Sequence, residues 1–311
     1  MSPLRNALEE YLALRRSLGF RLRLSGRLLE RFVEFADRQG AEFITCELAL
    51  QWATAPADVQ PAQWANRLGM VRRFAQYHLA TEQRTEVPPP DLLPYRYRRQ
   101  PPYIYSDAEV RSLLRAAAAL PPARGLRAAT YTTLLGLYAS TGLRTNEALS
   151  LDRDDVDLVH GVLRICQSKF GKSRCLPVHR STQHALAQYA AVRDRVCPQP
   201  NTPGFFVSDR GTRISEWSLR YTFVKLSRQI GLRAATDARG PRIHDFRHRF
   251  AVITLRDWYR AGVDVERQLP QLSTYLGHAH VTDTYWYLTA TSELMQLAKR
   301  QLERALSGAT P

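Results

Sequence analysis

Pro241-Arg-Ile-His-Asp-Phe-Arg-His248 puts two imidazoles and a guanidinium within one turn at the head of an apolar-periodic stretch that runs to Gly262. Side chains so spaced share a helix face, so His244, Arg247 and His248 can meet one anion. A capped helix start is the plain alternative. His244 and His248 at i, i+4 would also suit zinc, with His278 or His280 completing the set. No HExxH glutamate accompanies them, and Arg247 would repel a cation. An anion is therefore the expected ligand, with no metal and no cofactor.

Three further motifs carry related chemistry. In Thr141-Gly-Leu-Arg-Thr-Asn-Glu147 a glycine turn ends one helix and presents Arg144 near the start of the next. Helix N-termini and guanidinium forks both favour phosphate, while an Arg144–Glu147 surface pair is the plain reading. Ser168-Lys-Phe-Gly-Lys-Ser-Arg174 lies between Val162-Leu-Arg-Ile165 and Cys175-Leu-Pro-Val178, and this predicts a β-hairpin. It is not a nucleotide-binding P-loop, because Cys166 stands where that loop needs glycine. A hairpin lysine can reach a groove and protonate an alkoxide leaving group, which arginine does poorly. Lys169 and Lys172 both qualify, and a solvated turn would explain either. Leu276-Gly-His-Ala-His-Val-Thr-Asp-Thr-Tyr-Trp-Tyr287 exposes His278 at a glycine turn and ends in an aromatic run. Taken singly, that run reads as core.

Around these motifs the pattern is mainly helical. Ser2-Pro3 is an N-cap with proline at the first helical position, ahead of a stripe of Leu4, Leu8, Tyr11 and Leu12. Further helices are expected from about Ser25 to Gly40, after Thr45, and from about Pro61 to Leu79. Their polar faces and flanks carry Arg15, Arg16, Arg21, Arg23, Arg67, Arg72 and Arg73, which are candidate phosphate contacts or simply solvated faces. Prolines from Pro88 to Pro102, interleaved with Tyr95, Arg96, Tyr97, Arg98 and Arg99, predict an extended basic linker. Ser106-Asp-Ala-Glu109 is a capping box that opens the second part. Helices are expected there over about Thr182–Val196, Ser215–Gly231 and His244–Gly262. Pro270 should interrupt or restart another between Asp264 and Leu276.

The formal net charge is +15 over 311 residues, which suggests a polyanionic partner, nucleic acid above all. No apolar run approaches the roughly 18 residues of a membrane span, and Met1–Glu10 lacks a signal-peptide pattern. A soluble cytoplasmic protein with reduced cysteines is expected.

Taken in order, Thr-Gly-Leu-Arg144, Lys169, His244-Asp-Phe-Arg247-His248, Leu-Gly-His278 and Tyr287 closely resemble the tyrosine recombinase (phage integrase) family, over roughly Tyr105 to Leu288. The size and N-terminal style also resemble integrases of transposable elements. The resemblance implies a helical, core-binding DNA-binding domain over residues 1–86, a linker over 87–104, and a mixed α+β catalytic domain over 105–288. The tail over 289–311, with Leu294, Leu297, Leu302 and Leu306, resembles a segment that docks on a neighbouring protomer; a local amphipathic helix is the alternative. By the same resemblance Arg144 and Arg247 bind the scissile phosphate and Lys169 protonates the departing 5′ oxygen. His244 acts as base or acid on the tyrosine, and His278 donates to the phosphate. Tyr287 attacks to leave a 3′-phosphotyrosine. Lys172 and Tyr285 stay open as alternatives to Lys169 and Tyr287, with Lys172 otherwise a DNA contact. Implied partners are double-stranded DNA, further copies in a tetramer on paired sites, and other recombinases of the same element, with the protein held at the nucleoid. Type IB topoisomerases and catalytically silent DNA binders are the rival readings. Arg249 and Asn146 depart from the family pattern, which favours small residues at those places.

Overall fold

The computed structural model describes residues 2–20, 22–95, 102–122, 125–166, 173–237 and 239–307, with backbone alone at 304–306, in two units, Met1–Gln100 and Pro101–Pro311. In the first, α1 (Pro3–Ser17), α2 (Arg23–Arg38), α3 (Cys46–Thr54) and α4 (Pro61–His78) bury the stripes that their spacing predicts. Ser2 caps α1 by accepting from the Arg5 N–H, and Thr45 caps α3 from Leu48. Leu8, Phe32, Val33, Trp52 and Phe74 lie in one core. The segment after α4 is tied to this unit, with the Arg72 guanidinium donating to the carbonyls of Pro88 and Pro89 at 2.6 Å each.

The second unit is built on α6 (Arg127–Thr141), whose Tyr131, Leu134, Leu135 and Tyr138 are all buried. Around it lie α5 (Asp107–Ala118), α7 (Thr145–Ser150), α8 (Arg180–Val196), α9 (Glu216–Gln229) and α10 (Asp245–Arg260). The predicted capping box is present, with Ser106 and Glu109 bonding each other's backbone N–H. The expected hairpin strands form as β2 (Val162–Ile165) and β3 (Arg174–Pro177). A short β1 (Val156–Asp157), too brief to show a period, completes an antiparallel sheet in the order β1-β2-β3. Leu163 faces Leu176 and Ile165 faces Arg174 across it.

A second core joins α10, α11 (Val265–Leu276), α13 (Ser292–Ser307) and the turn that carries Tyr287; α12 (Thr282–Tyr285) leads into that turn. Pro270 does not break α11, contrary to expectation. Its missing N–H deprives only the carbonyl of Glu266, and both residues are exposed, so water can satisfy the orphaned oxygen. Helix α10 faces both cores, with Phe246 in one and Ala251, Val252 and Leu255 in the other. Tyr105 stacks on Phe246 at 4.6 Å. The segment bearing His244 and Arg247 is thus clamped on two sides. Among the described residues no helix is long and apolar enough to cross a membrane.

Candidate active site

The site grows from two left-handed glycines. Gly142, at φ +62°, ends α6 and turns the chain so that Arg144 stands at the N-cap of α7. Gly277, at φ +71°, ends α11 and starts the loop of His278. The last carbonyls of a helix lack intrahelical partners. Here three in succession each accept from a different arginine. Arg174 Nε donates to Tyr275 O at 2.9 Å, Arg247 Nη2 to Leu276 O at 2.7 Å and Arg144 Nη2 to Gly277 O at 2.7 Å. Arg247 Nη1 also donates to Gly142 O at 3.0 Å, so this buried side chain joins the two glycine turns.

Glu147 is the counter-charge. Its buried carboxylate accepts both Nη groups of Arg174 at 2.9 Å, Arg144 Nη1 at 2.8 Å and the Arg144 backbone N–H at 3.0 Å. Burial alone would raise its pKa; the bonds and charge of Arg174, then of Arg144, hold it below the ordinary carboxylate range. Two guanidiniums thus share one carboxylate, and with Arg247 close enough to feel its charge the three arginines leave a surplus of two positive charges over Glu147. That surplus is suited to an anion.

The imidazoles and the tyrosine line the same place. His278 Nδ1 shares a hydrogen with the Thr284 hydroxyl at 2.7 Å, and its ring lies parallel to Tyr287 with centroids 6.2 Å apart. His248 sits 5.6 Å from Tyr287 and 4.9 Å from His244. Burial is the main cause pushing all three histidines down to about 4, helped by Arg247 at His244 and His278 and by His244 at His248. They are neutral imidazoles at pH 7. His244 nonetheless keeps an exposed edge, so its neutrality reflects dense surroundings more than loss of all water contact. Tyr287 is buried, whereas Tyr285 is 48 % exposed. Burial and then Arg144 lower Arg247 to about 10, and Tyr287 lies close enough to act on its charge.

Arg144, His244, Arg247, His278 and Tyr287 are therefore brought together, while Lys169 and Lys172 lie outside the described residues. Arg249 leaves the cluster to bond the Tyr105 carbonyl and Asp107. Asn146 is exposed in the first turn of α7. Among the described residues no group of three or more His, Cys, Asp or Glu is placed to hold a metal. Arg174 and Thr284 were not singled out from sequence. The signal for Arg174 was the two-residue period of β3, where Arg174 and the buried Leu176 share the inward face while Cys175 points out. A charge on an inward position requires a partner.

The candidate DNA contacts divide. Arg16, Arg23 and Arg73 are exposed. Arg15 lies over the Phe20 ring, 3.9 Å from its centroid. Arg67 is engaged within the first unit, lying 3.7 Å over Trp52 and donating to the carbonyls of Trp52 and Ala53 at the end of α3. Arg72 holds Pro88 and Pro89, as described above. Arg21, Arg96, Arg98 and Arg99 are outside the described residues.

A mainly helical chain that gathers arginines with surplus positive charge, neutral imidazoles and one tyrosine defines a class of phosphoryl-handling proteins. Residues 105–293 match the model of the Phage integrase family, and the chain belongs to that family. A Sinorhizobium fredii protein named for the integrase/recombinase class, y4rB, is 49% identical over 308 residues, 98% of each chain. The tyrosine recombinase XerD of Mycobacterium tuberculosis is 35% identical over 197 residues, covering 62% of this chain and 58% of that one. The Tn1549 transposon integrase, solved with transposon right-end DNA, has a TM-score of 0.68 at 15% identity, over 98% of this chain and 100% of that one, a likeness of fold. The protein is an enzyme that cleaves and rejoins DNA strands, a site-specific recombinase of the tyrosine type.

Proposed function

We propose that Tyr287 attacks a DNA phosphodiester held between Arg144 and Arg247. The observation that carries this reading is that both guanidiniums grip adjacent carbonyls, Gly277 and Leu276, beside the Tyr287 ring. The tyrosine oxygen bonds to phosphorus, the bond to the 5′ oxygen breaks, and a 3′-phosphotyrosine and a free 5′ hydroxyl result. Arg144 and Arg247 offset charge on the non-bridging oxygens as the pentacoordinate state forms. His244, neutral at pH 7, accepts the tyrosine proton, and Lys169 gives one to the leaving oxygen. With Thr284 donating to Nδ1, His278 carries its hydrogen on Nε2 and offers it to the phosphate. Attack by another strand's 5′ hydroxyl reverses these steps and regenerates Tyr287. Four copies pairing two DNA sites, acting at the nucleoid with or without other recombinases of the same element, complete the reading.

The test is a pool of nicked duplexes with a randomised core, incubated with the purified chain and then partitioned to recover protein-linked DNA. Recovery of a defined duplex by the wild type and none by Tyr287→Phe is expected. An adduct that persists in Tyr287→Phe would remove the assigned nucleophile. Relaxation of any supercoiled plasmid without joining of sites would instead make it a topoisomerase-like enzyme. Binding with no adduct would make it a silent DNA binder.

A further inference from the structure

Arg174 has no task in the chemistry above, yet it has the best-formed ion pair in the cluster. We propose that Arg174 is a positioning residue that leaves the charge of Arg144 available to the scissile phosphate by sharing Glu147 with it; this rests on the assignment of Arg144 above. A carboxylate offers about four acceptor directions. Glu147 uses them on two parallel bonds from Arg174, one from Arg144 Nη1 and one from the Arg144 backbone. Because Arg174 takes the bidentate geometry, Arg144 is left with a single side-chain bond to Glu147, and its Nη2 stays on Gly277. Without Arg174 the Glu147 carboxylate, 4% exposed, would keep hydrogen bonds from Arg144 alone. The pair would close into a fork of its own. Arg144 would then lose both its surplus charge and its hold on the Gly277 loop.

The neighbourhood is fitted to Arg174 in two further ways. Gly277 leaves room for it, since a Cβ there would stand 2.6 Å from Arg174 Nη1. Its Nε fixes Tyr275 O, so one side chain on β3 orients the helix end that both other arginines grip.

The duplex recovered by the wild type in the selection above serves as probe, made either with the natural phosphate or with a methylphosphonate at the scissile position, which removes one negative charge. Arg174→Ala should bind it within about threefold of wild type. It should form adduct about 100-fold more slowly on phosphate, the scale of a misplaced catalytic group, and the gap should shrink below about tenfold on methylphosphonate, where less cationic surplus is needed. Arg174→Lys keeps the charge but cannot form the fork, so it should show the same narrowing from a smaller starting defect; it carries the comparison if the alanine variant does not fold. Wild-type rates in the variants, or equal slowing on both substrates, would overturn the proposal. A wild type that forms no adduct would instead reject the function proposed above.

Discussion

Replacing Gly277 by alanine tests the packing at the centre of the site. The residue sits at φ +71°, where an L side chain costs about 1–2 kcal/mol. The new Cβ would lie 2.6 Å from Arg174 Nη1 and 2.8 Å from its Cζ, closer than real Cβ contacts, so the guanidinium must swing away. Swinging away loosens its bonds to Glu147, and charged hydrogen bonds of that kind contribute about 1.5–3 kcal/mol. A total near 3 kcal/mol is expected, or a fall of about 6–12 °C in Tm for a unit of this size. The assay is urea unfolding followed by the fluorescence of Trp217, Trp258 and Trp286, fitted with separate transitions for the two units. In an Arg174→Ala background only the backbone cost should remain, about 1.5 kcal/mol, so the two substitutions should be non-additive by a similar amount. A full effect of Gly277→Ala in both backgrounds would show that Arg174 is not what the methyl displaces.

In the helical unit, His78 is buried against Phe74, and neither ring nitrogen has a protein hydrogen-bond partner. His78→Phe should raise the stability of that unit by about 1–2 kcal/mol in urea unfolding, and a loss would mean the imidazole is satisfied. The depressed histidines at the site set a pH dependence. Below about 6.5 the unfolded chain takes up protons that folded His244, His248 and His278, at about 4, refuse, so stability should fall from pH 7 to pH 5. His278→Gln should flatten that slope; a wild type equally stable at both values would contradict it. Arg67→Ala should destabilise the helical unit by about 1–2 kcal/mol while leaving the salt dependence of DNA binding unchanged, because its donors cap α3. Arg73→Ala should do the reverse, reducing the salt slope by about one phosphate's worth; the opposite pattern in gel-shift titrations would exchange their roles.

What could be read from the chain depended on how local the signal was. Ser106 and Glu109 are three residues apart and their capping box is as expected, and the β2 and β3 strands were visible in their apolar runs. The Pro270 expectation failed because Pro270 and Glu266, whose carbonyl loses its partner, are both exposed, which the sequence does not say. Within the site, the motifs named five side chains that the fold brings together, yet each motif read alone was a weak signal. Arg174 stayed hidden because its partners, Glu147 and Tyr275, are 27 and 101 residues away. Arg67 looked like a DNA contact because an exposed helix face and a helix cap use the same residue type, and only the position of Trp52 separates them.

The capped end of α11 also bears on when the enzyme becomes dangerous to its host. Its three carbonyls collect arginines from points 133, 101 and 29 residues earlier in the chain, and the tyrosine comes later still. On the ribosome, Arg144, Arg174 and Arg247 emerge with nothing to gather them until Tyr275, Leu276 and Gly277 follow. Chains released before residue 275 lack the carbonyls that gather the three arginines as well as Tyr287, and should break no strand.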